Sequence, residues 1–228
     1  MKLVVATHNE GKLVEIKRIL SEQLEHLADR FELVTAGSLG LPDPVETGVT
    51  FEQNALIKAR DVAARTGLPA IADDSGLIVD VLGAAPGVLS ARWSGVHGDD
   101  RANNELLLRQ LADIPDQFRT ARFRCAAALA IPDSCSEVPL SSAMSHERGF
   151  ETVRVGEMIG RLIREERGKN GFGYDPLFVP DEQPIRDGVR MEGLTSAELT
   201  QEEKNAISHR GHALRALMPE FRALFIAE

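Results

Sequence analysis

A chain of 228 residues, 43% hydrophobic and 27% charged, is long enough to bury a full core and has the balance of a soluble globular protein, with one large two-lobed domain the natural expectation. Its formal net charge of −9 opposes attachment to DNA or RNA, so an anionic ligand has to be held by local donors or by a metal ion. The longest apolar run, "CAAALAI" (Cys125 to Ile131), is far shorter than the roughly 20 residues that cross a bilayer, so neither polymeric nucleic acid nor membrane is an expected partner.

"KLVVA" (Lys2 to Ala6) reads as a buried strand, and the opening turns polar after Ala6, which leaves no secretory leader and makes the cytoplasm the default location. Leu13, Ile16, Ile19, Leu20 and Leu24 then recur at helical spacing, and "FELVT" reads as a second strand. A second helix is expected over "TFEQNALIKARDVAARTG", with Thr50 and Gln53 as a capping box and Gly67 as its stop. "PAIA" and "LIVDVL" read as two strands flanking an acidic turn at Asp73, Asp74 and Ser75, residue types that tight turns select. "NNELLLRQL" is helical, "ARFRCAAALAI" a long strand and "TVRVGEMIGRLI" a further strand or hairpin. From Thr200 onward the chain is helical again. Strands interleaved with helices make an α/β protein with a mixed sheet.

Three segments carry candidate chemistry. "THNEGK" (Thr7 to Lys12) stands where a strand turns into a helix, a place whose backbone N–H groups favour phosphate. Ala6 and Leu13 occupy the positions where a P-loop needs Gly and Ser or Thr, so the segment is no P-loop. "GFGYDP" (Gly171 to Pro176) offers aromatic rings beside glycines and a carboxylate, which suits base stacking, although the motif taken alone favours a turn with its rings in the core. In "TQEEKNAISHRGHAL", Thr200 and Glu203 form a capping box. On one continuous helix His209 and Arg210 would lie about 140° and 240° from Lys204, whereas a break at Ser208 would allow all three to face one ligand. His8, His97, His146 and His212 lack metal-ligand spacing. Cys125 and Cys135 make no disulfide framework, and Cys125 belongs in the core. Trp93 is expected to pack structurally.

Taken together, "THNEGK", "ETGVTFEQNALIKAR", "PAIADDSGLIVDVLGAAPGVLSARWSG", "GFGYDPLF" and "EEKNAISHRGHAL", in this order and over nearly the whole chain, closely resemble the inosine/xanthosine triphosphate pyrophosphatases. The resemblance implies an elongated mixed sheet with flanking helices, two lobes in a single domain over 1–228, and an active site in the cleft between the lobes. It implies hydrolysis of ITP, dITP or XTP to the monophosphate and pyrophosphate, with Mg²⁺, by a cytoplasmic homodimer. It assigns Thr7, His8, Asn9, Glu10, Gly11 and Lys12 to the triphosphate, Glu46 and Asp74 to the metal, Asp74 also to proton acceptance, and Ser75 to substrate contact. Phe172, Gly173, Tyr174, Asp175, Lys204, His209 and Arg210 are assigned to the nucleoside, and Asp73 is expected near the metal.

Departures from the family pattern fall in 132–151, in the long segment after "GFGYDP", and at Trp93, where a tyrosine is common. Two other readings compete. A pyrophosphatase of the septum-formation-inhibitor type would prefer modified pyrimidine nucleotides, and "SHR" with "FGYD" speaks against it. A non-enzymatic nucleotide sensor would have no need for two separated metal carboxylates.

Overall fold

The computed structural model describes residues 2–7, 10–23, 32–133 and 149–225. Leu24, Phe31, Cys135 and His146 lie outside them, as do His8 and Asn9 and the side chains of Glu10 and Lys12. In chain order the elements are β1 (Lys2–Val5), α1 (Glu10–Gln23), β2 (Glu32–Thr35), α2 (Phe51–Thr66) and β3 (Ala70–Val79). There follow α3 (Asp100–Gln110), β4 (Thr120–Ile131), β5 (Phe150–Leu162), β6 (Phe178–Pro180), β7 (Ile185–Arg186), β8 (Val189–Arg190), α4 (Gln201–Ile207) and α5 (His209–Phe225). Six strands form one sheet in the order β2-β1-β3-β4-β5-β6, and β7 with β8 makes a small separate ribbon. The sheet is mixed: β1 runs parallel to β2 and β3, while β5 and β6 are antiparallel.

The chain divides into two compact units, one of 1–74, 125–156 and 210–228, the other of 75–124 and 157–209. In the first, Ile16, Ile19 and Leu20 of α1 and Ala213, Leu214 and Leu217 of α5 bury against Leu3, Val5, Ile71 and Cys125. Each large aliphatic side chain fully buried in this way contributes about 1.5–3 kcal/mol. The second core gathers Leu77, Val79, Leu107, Phe123, Met158, Leu177 and Phe178 with Ile207 of α4.

Most expected elements are present, with two corrections. The acidic segment is no turn: Asp73, Asp74 and Ser75 lie inside the uninterrupted strand β3, which sits between β1 and β4. Turn chemistry is not needed there, because the carboxylates are held by side chains from helices and the extended backbone is left to the sheet. The cap of α2 is also half of the one expected. Thr50 Oγ1 accepts the Gln53 N–H at 3.2 Å, but the Gln53 side chain accepts from Val49 N–H at 2.8 Å, one residue before the cap. The stop at Gly67 is as expected, with φ +69°. The chain does break at Ser208, which is extended (φ −68°, ψ 145°), so α5 starts afresh at His209.

Candidate active site

Successive residues of a strand point to opposite faces of a sheet, and β3 uses this to separate its two aspartates. Asp74 faces α2. Its Oδ1 accepts from Lys58 Nζ at 3.1 Å and its Oδ2 from Asn54 Nδ2 at 3.2 Å. Asn54 and Lys58 are one helical turn apart, so both project from one side of α2, on the buried stripe that also holds Phe51, Ala55 and Val62. Glu46, on the segment before α2, places Oε1 2.9 Å from the same Lys58 Nζ. Asn54 Oδ1 also accepts the Gly48 N–H at 2.8 Å, which ties the Glu46 segment to the helix. A side chain at Gly48 could not be accommodated, since a Cβ there would lie 2.5 Å from Asn54 Oδ1. Burial draws the Lys58 ammonium down, but Asp74, Asp73 and Glu46 outweigh it and hold it above its ordinary 10.5.

Two carboxylates thus converge on one cation. Mg²⁺ is usually bound by one or two carboxylates plus substrate phosphates, so this donor set fits such an ion.

Asp73 turns to the other face and meets α1 and α5. Arg210, only 1% exposed, donates from Nε to Asp73 Oδ2 at 3.0 Å and from Nη1 to Glu15. Burial lowers the guanidinium's proton affinity, yet Glu15 and Asp73 more than compensate and raise it overall, so Arg210 stays charged. Asp73 therefore belongs to a buried ion network, and its charge still reaches Lys58 beside the Glu46–Asp74 pair.

In the second unit, "GFGYDP" is organised around Asp175, which is 2% exposed. Its Oδ2 accepts the Phe172 backbone N–H at 2.9 Å and Lys204 Nζ at 2.6 Å. Lys204 Nζ then lies 5.1 Å from the centre of the half-buried Phe172 ring, within cation–π range. Tyr174 goes inward instead: its ring joins the core and its hydroxyl donates to Ser90 O at 2.9 Å. Helix α3 fixes the loop from its first two turns. Asp100 Oδ2 accepts the Gly173 N–H at 2.7 Å, and Asn104 Nδ2 donates to Gly173 O at 3.2 Å. The His209 ring stacks on Phe123 with centroids 4.9 Å apart.

Lys204 owes its direction to the start of α4, where the Thr200–Glu203 capping box is complete and Arg186 of β7 adds two contacts to Glu203 at 2.8 Å. The long segment after "GFGYDP" therefore braces the helix that carries Lys204. The Arg186 hydrogen bonds, aided by Thr200, hold the Glu203 carboxyl at about 2, below its ordinary 4.5. A carboxylate depressed in the folded state stabilises fully above its unfolded pKa and loses that contribution as pH falls through the folded one. Acid melting of wild type and Glu203→Gln should therefore converge between pH 4.5 and about 2. A gap between the two that stays constant from pH 6 to pH 2 would count against this lock.

A family model described as the Ham1 family matches residues 3–220. The dITP/XTP pyrophosphatase of Bifidobacterium animalis subsp. lactis is 63% identical over 234 residues, covering 98% of each chain. That of Bifidobacterium longum subsp. infantis is 60% identical over 250 residues, 98% of this chain and 99% of that protein. The chain belongs to the Ham1 family. Among solved Ham1 relatives, the Staphylococcus aureus Ham1 protein superposes with a TM-score of 0.76 at 31% identity, covering 98% of this chain and 99% of that one. The nucleoside-triphosphatase / dITP/XTP pyrophosphatase of Mycobacterium abscessus gives 0.68 at 49% identity over 96% of this chain and 100% of that one.

Against the residues expected from the sequence, this Ham1 chain brings Glu46 and Asp74 together, and Phe172, Asp175 and Lys204 together. Thr7 lies two residues beyond the end of β1, with its N–H on Val5 O, and α1 begins at Glu10, so "THNEGK" does span a strand-to-helix transition. Ser75 follows Asp74 within β3. Trp93 is partly buried and donates from Nε1 to Gln110 at 2.9 Å. Four polar residues were missed: Asn54 and Lys58 on α2, Asp100 and Asn104 on α3. The signal in α2 was present, because two polar residues interrupt an otherwise apolar stripe at i, i+4.

Proposed function

We propose that this chain hydrolyses non-standard purine nucleoside triphosphates (ITP, dITP and XTP) to the nucleoside monophosphate and pyrophosphate, removing aberrant purines from the nucleotide pool. Membership of the Ham1 family and relatives up to 63% identical, named for dITP/XTP pyrophosphatase activity, support it. The observation that carries the chemistry is the convergence of Glu46 and Asp74 on one cation. Mg²⁺, held by Glu46 and Asp74, would supply a hard positive charge that offsets the phosphates. The proposal extends to a cytoplasmic homodimer, carried by the family resemblance.

In this reading Thr7 to Lys12 hold the triphosphate, and Asp74 accepts the proton of the water that attacks the α-phosphorus. Phosphoryl chemistry of this kind rests on positioning and charge, which a carboxylate held by Asn54 provides. Phe172 offers its ring to the purine, with Gly173 lending backbone. Tyr174 supports that loop from the core, and Ser75 and His209 complete the substrate contacts. Lys204, of whose three N–H groups Asp175 takes one, aims donors at the base.

Hypoxanthine and xanthine carry a 6-keto acceptor where adenine carries an amino donor. A site built on donors rejects another donor strongly, by about 10⁴ or more in favourable cases. Pyrophosphate release should therefore be rapid on ITP, dITP and XTP with Mg²⁺, absent with EDTA, and very slow on ATP. A panel of nucleoside triphosphates checks this directly. Hydrolysis of ATP as fast as ITP would remove the reading of selectivity for 6-keto purines, and binding without hydrolysis would leave a sensor.

A further inference from the structure

We propose that Lys58 is the resting counter-ion of the Glu46–Asp74 pair and competes with the divalent cation for it, so that the enzyme takes up the metal with the nucleotide and resists free metal. This rests on the metal reading above and concerns how that site is loaded.

Lys58 Nζ is bonded to both carboxylates of the pair, to Glu46 Oε1 at 2.9 Å and to Asp74 Oδ1 at 3.1 Å. Two cations served by the same oxygens repel each other, and the repulsion is strong where water is scarce; the side chains of Lys58 and Asp74 are only 11% and 10% exposed. The pair carries a charge of −2 toward a divalent ion when Lys58 is away and a net −1 when it is bound. Asn54 holds the other Asp74 oxygen and so keeps the carboxylate in place while Lys58 moves. The lysine stem is flexible and its ammonium has no fixed geometry, unlike a guanidinium, so it can leave the carboxylates when another anion is offered. A triphosphate arriving with its metal offers that anion, whereas free metal does not. Lys58 thereby favours the metal–nucleotide complex over metal alone.

The test uses the full-length chain without nucleotide, with Mn²⁺ as probe and free Mn²⁺ read by electron paramagnetic resonance. Lys58→Met, similar in length and uncharged, should bind Mn²⁺ at least about tenfold more tightly than wild type, roughly 1.4 kcal/mol of lost competition. Equal or weaker binding by a folded Lys58→Met would overturn the proposal. Glu46→Gln in the same background should abolish the gain, and Mn²⁺ that persists there binds elsewhere and equally overturns it. Should Lys58→Met fail to fold, the wild-type chain answers by nitrogen-15 resonance of its lysine ammonium groups. The Lys58 signal, assigned by its loss in Lys58→Arg, should shift as Mg²⁺ is added, and a signal unmoved at saturating Mg²⁺ rejects the exchange. Hydrolysis of ITP by wild type stands apart from these measurements, so its persistence alongside a failed Mn²⁺ comparison would remove the role of Lys58 alone.

Discussion

Asp74→Asn is expected to lower ITP hydrolysis by about 10³-fold or more, roughly 4 kcal/mol of barrier, while the chain keeps its fold. The substitution conserves shape but removes the charge on which Lys58 and the proposed metal depend, and it removes the base that would accept the water's proton. Stability should suffer less. One amide oxygen can still accept from Lys58, but the new NH₂ would face the Asn54 NH₂ across the 3.2 Å now spanned by a hydrogen bond. A donor left facing a donor in a buried place costs about 1–3 kcal/mol. Pyrophosphate release at saturating Mg²⁺, measured well below the melting temperature and beside a circular dichroism spectrum, separates the two effects. Most of the activity surviving would show that Asp74 is neither base nor metal ligand. Glu46→Gln should show instead as a raised Mg²⁺ requirement, since the proton-accepting role proposed for Asp74 is left in place.

The second large effect is structural. Arg210→Ala should destabilise the chain by about 3–5 kcal/mol, because breaking a buried ion network from one side leaves its other charges uncompensated. Here two carboxylates, Asp73 and Glu15, would be left inside the unit that α1 and α5 close. Urea unfolding of Arg210→Ala and of the triple variant Arg210→Met, Asp73→Asn, Glu15→Gln makes the test sharp. Neutralising all three together should recover much of the loss, since the penalty belongs to unpaired charge and little to volume. An Arg210→Ala chain as stable as wild type would mean that the network contributes nothing. Asp73 precedes Asp74 on the same strand, so a disturbed network would also shift the carboxylate proposed to accept the proton. The ITP-to-ATP ratio of the folded variant then reports whether Arg210 also meets the base: a narrowed ratio assigns it there, and an unchanged ratio leaves it to the network.

What the sequence by itself determined was local. Periodicity marked the strands and helices, Thr50, Gly67 and Thr200 marked helix ends, and Ser208 marked the break before His209, because caps and stops depend on residues three or four positions away. The order of the motifs was enough for the family and for the pairing of Glu46 with Asp74. The tertiary structure decided what adjacent residues cannot announce. Asp73 and Asp74 looked like one acidic turn, and the pleat of β3 sends one to Arg210 and the other to Lys58. Tyr174 and Phe172 stand two residues apart in one loop, yet one fills the core and the other lies beside Lys204. Asp100 and Asn104 read as ordinary helix residues until the loop they bond is in place, and Asn54 and Lys58 show in the sequence only as polar breaks in an apolar stripe. A buried polar group is stable only with its partner, and across this fold the partner is 16 residues away for Lys58 and Asp74 and 137 for Arg210 and Asp73. Such separations carry no local signal, so only the folded chain assigns the roles.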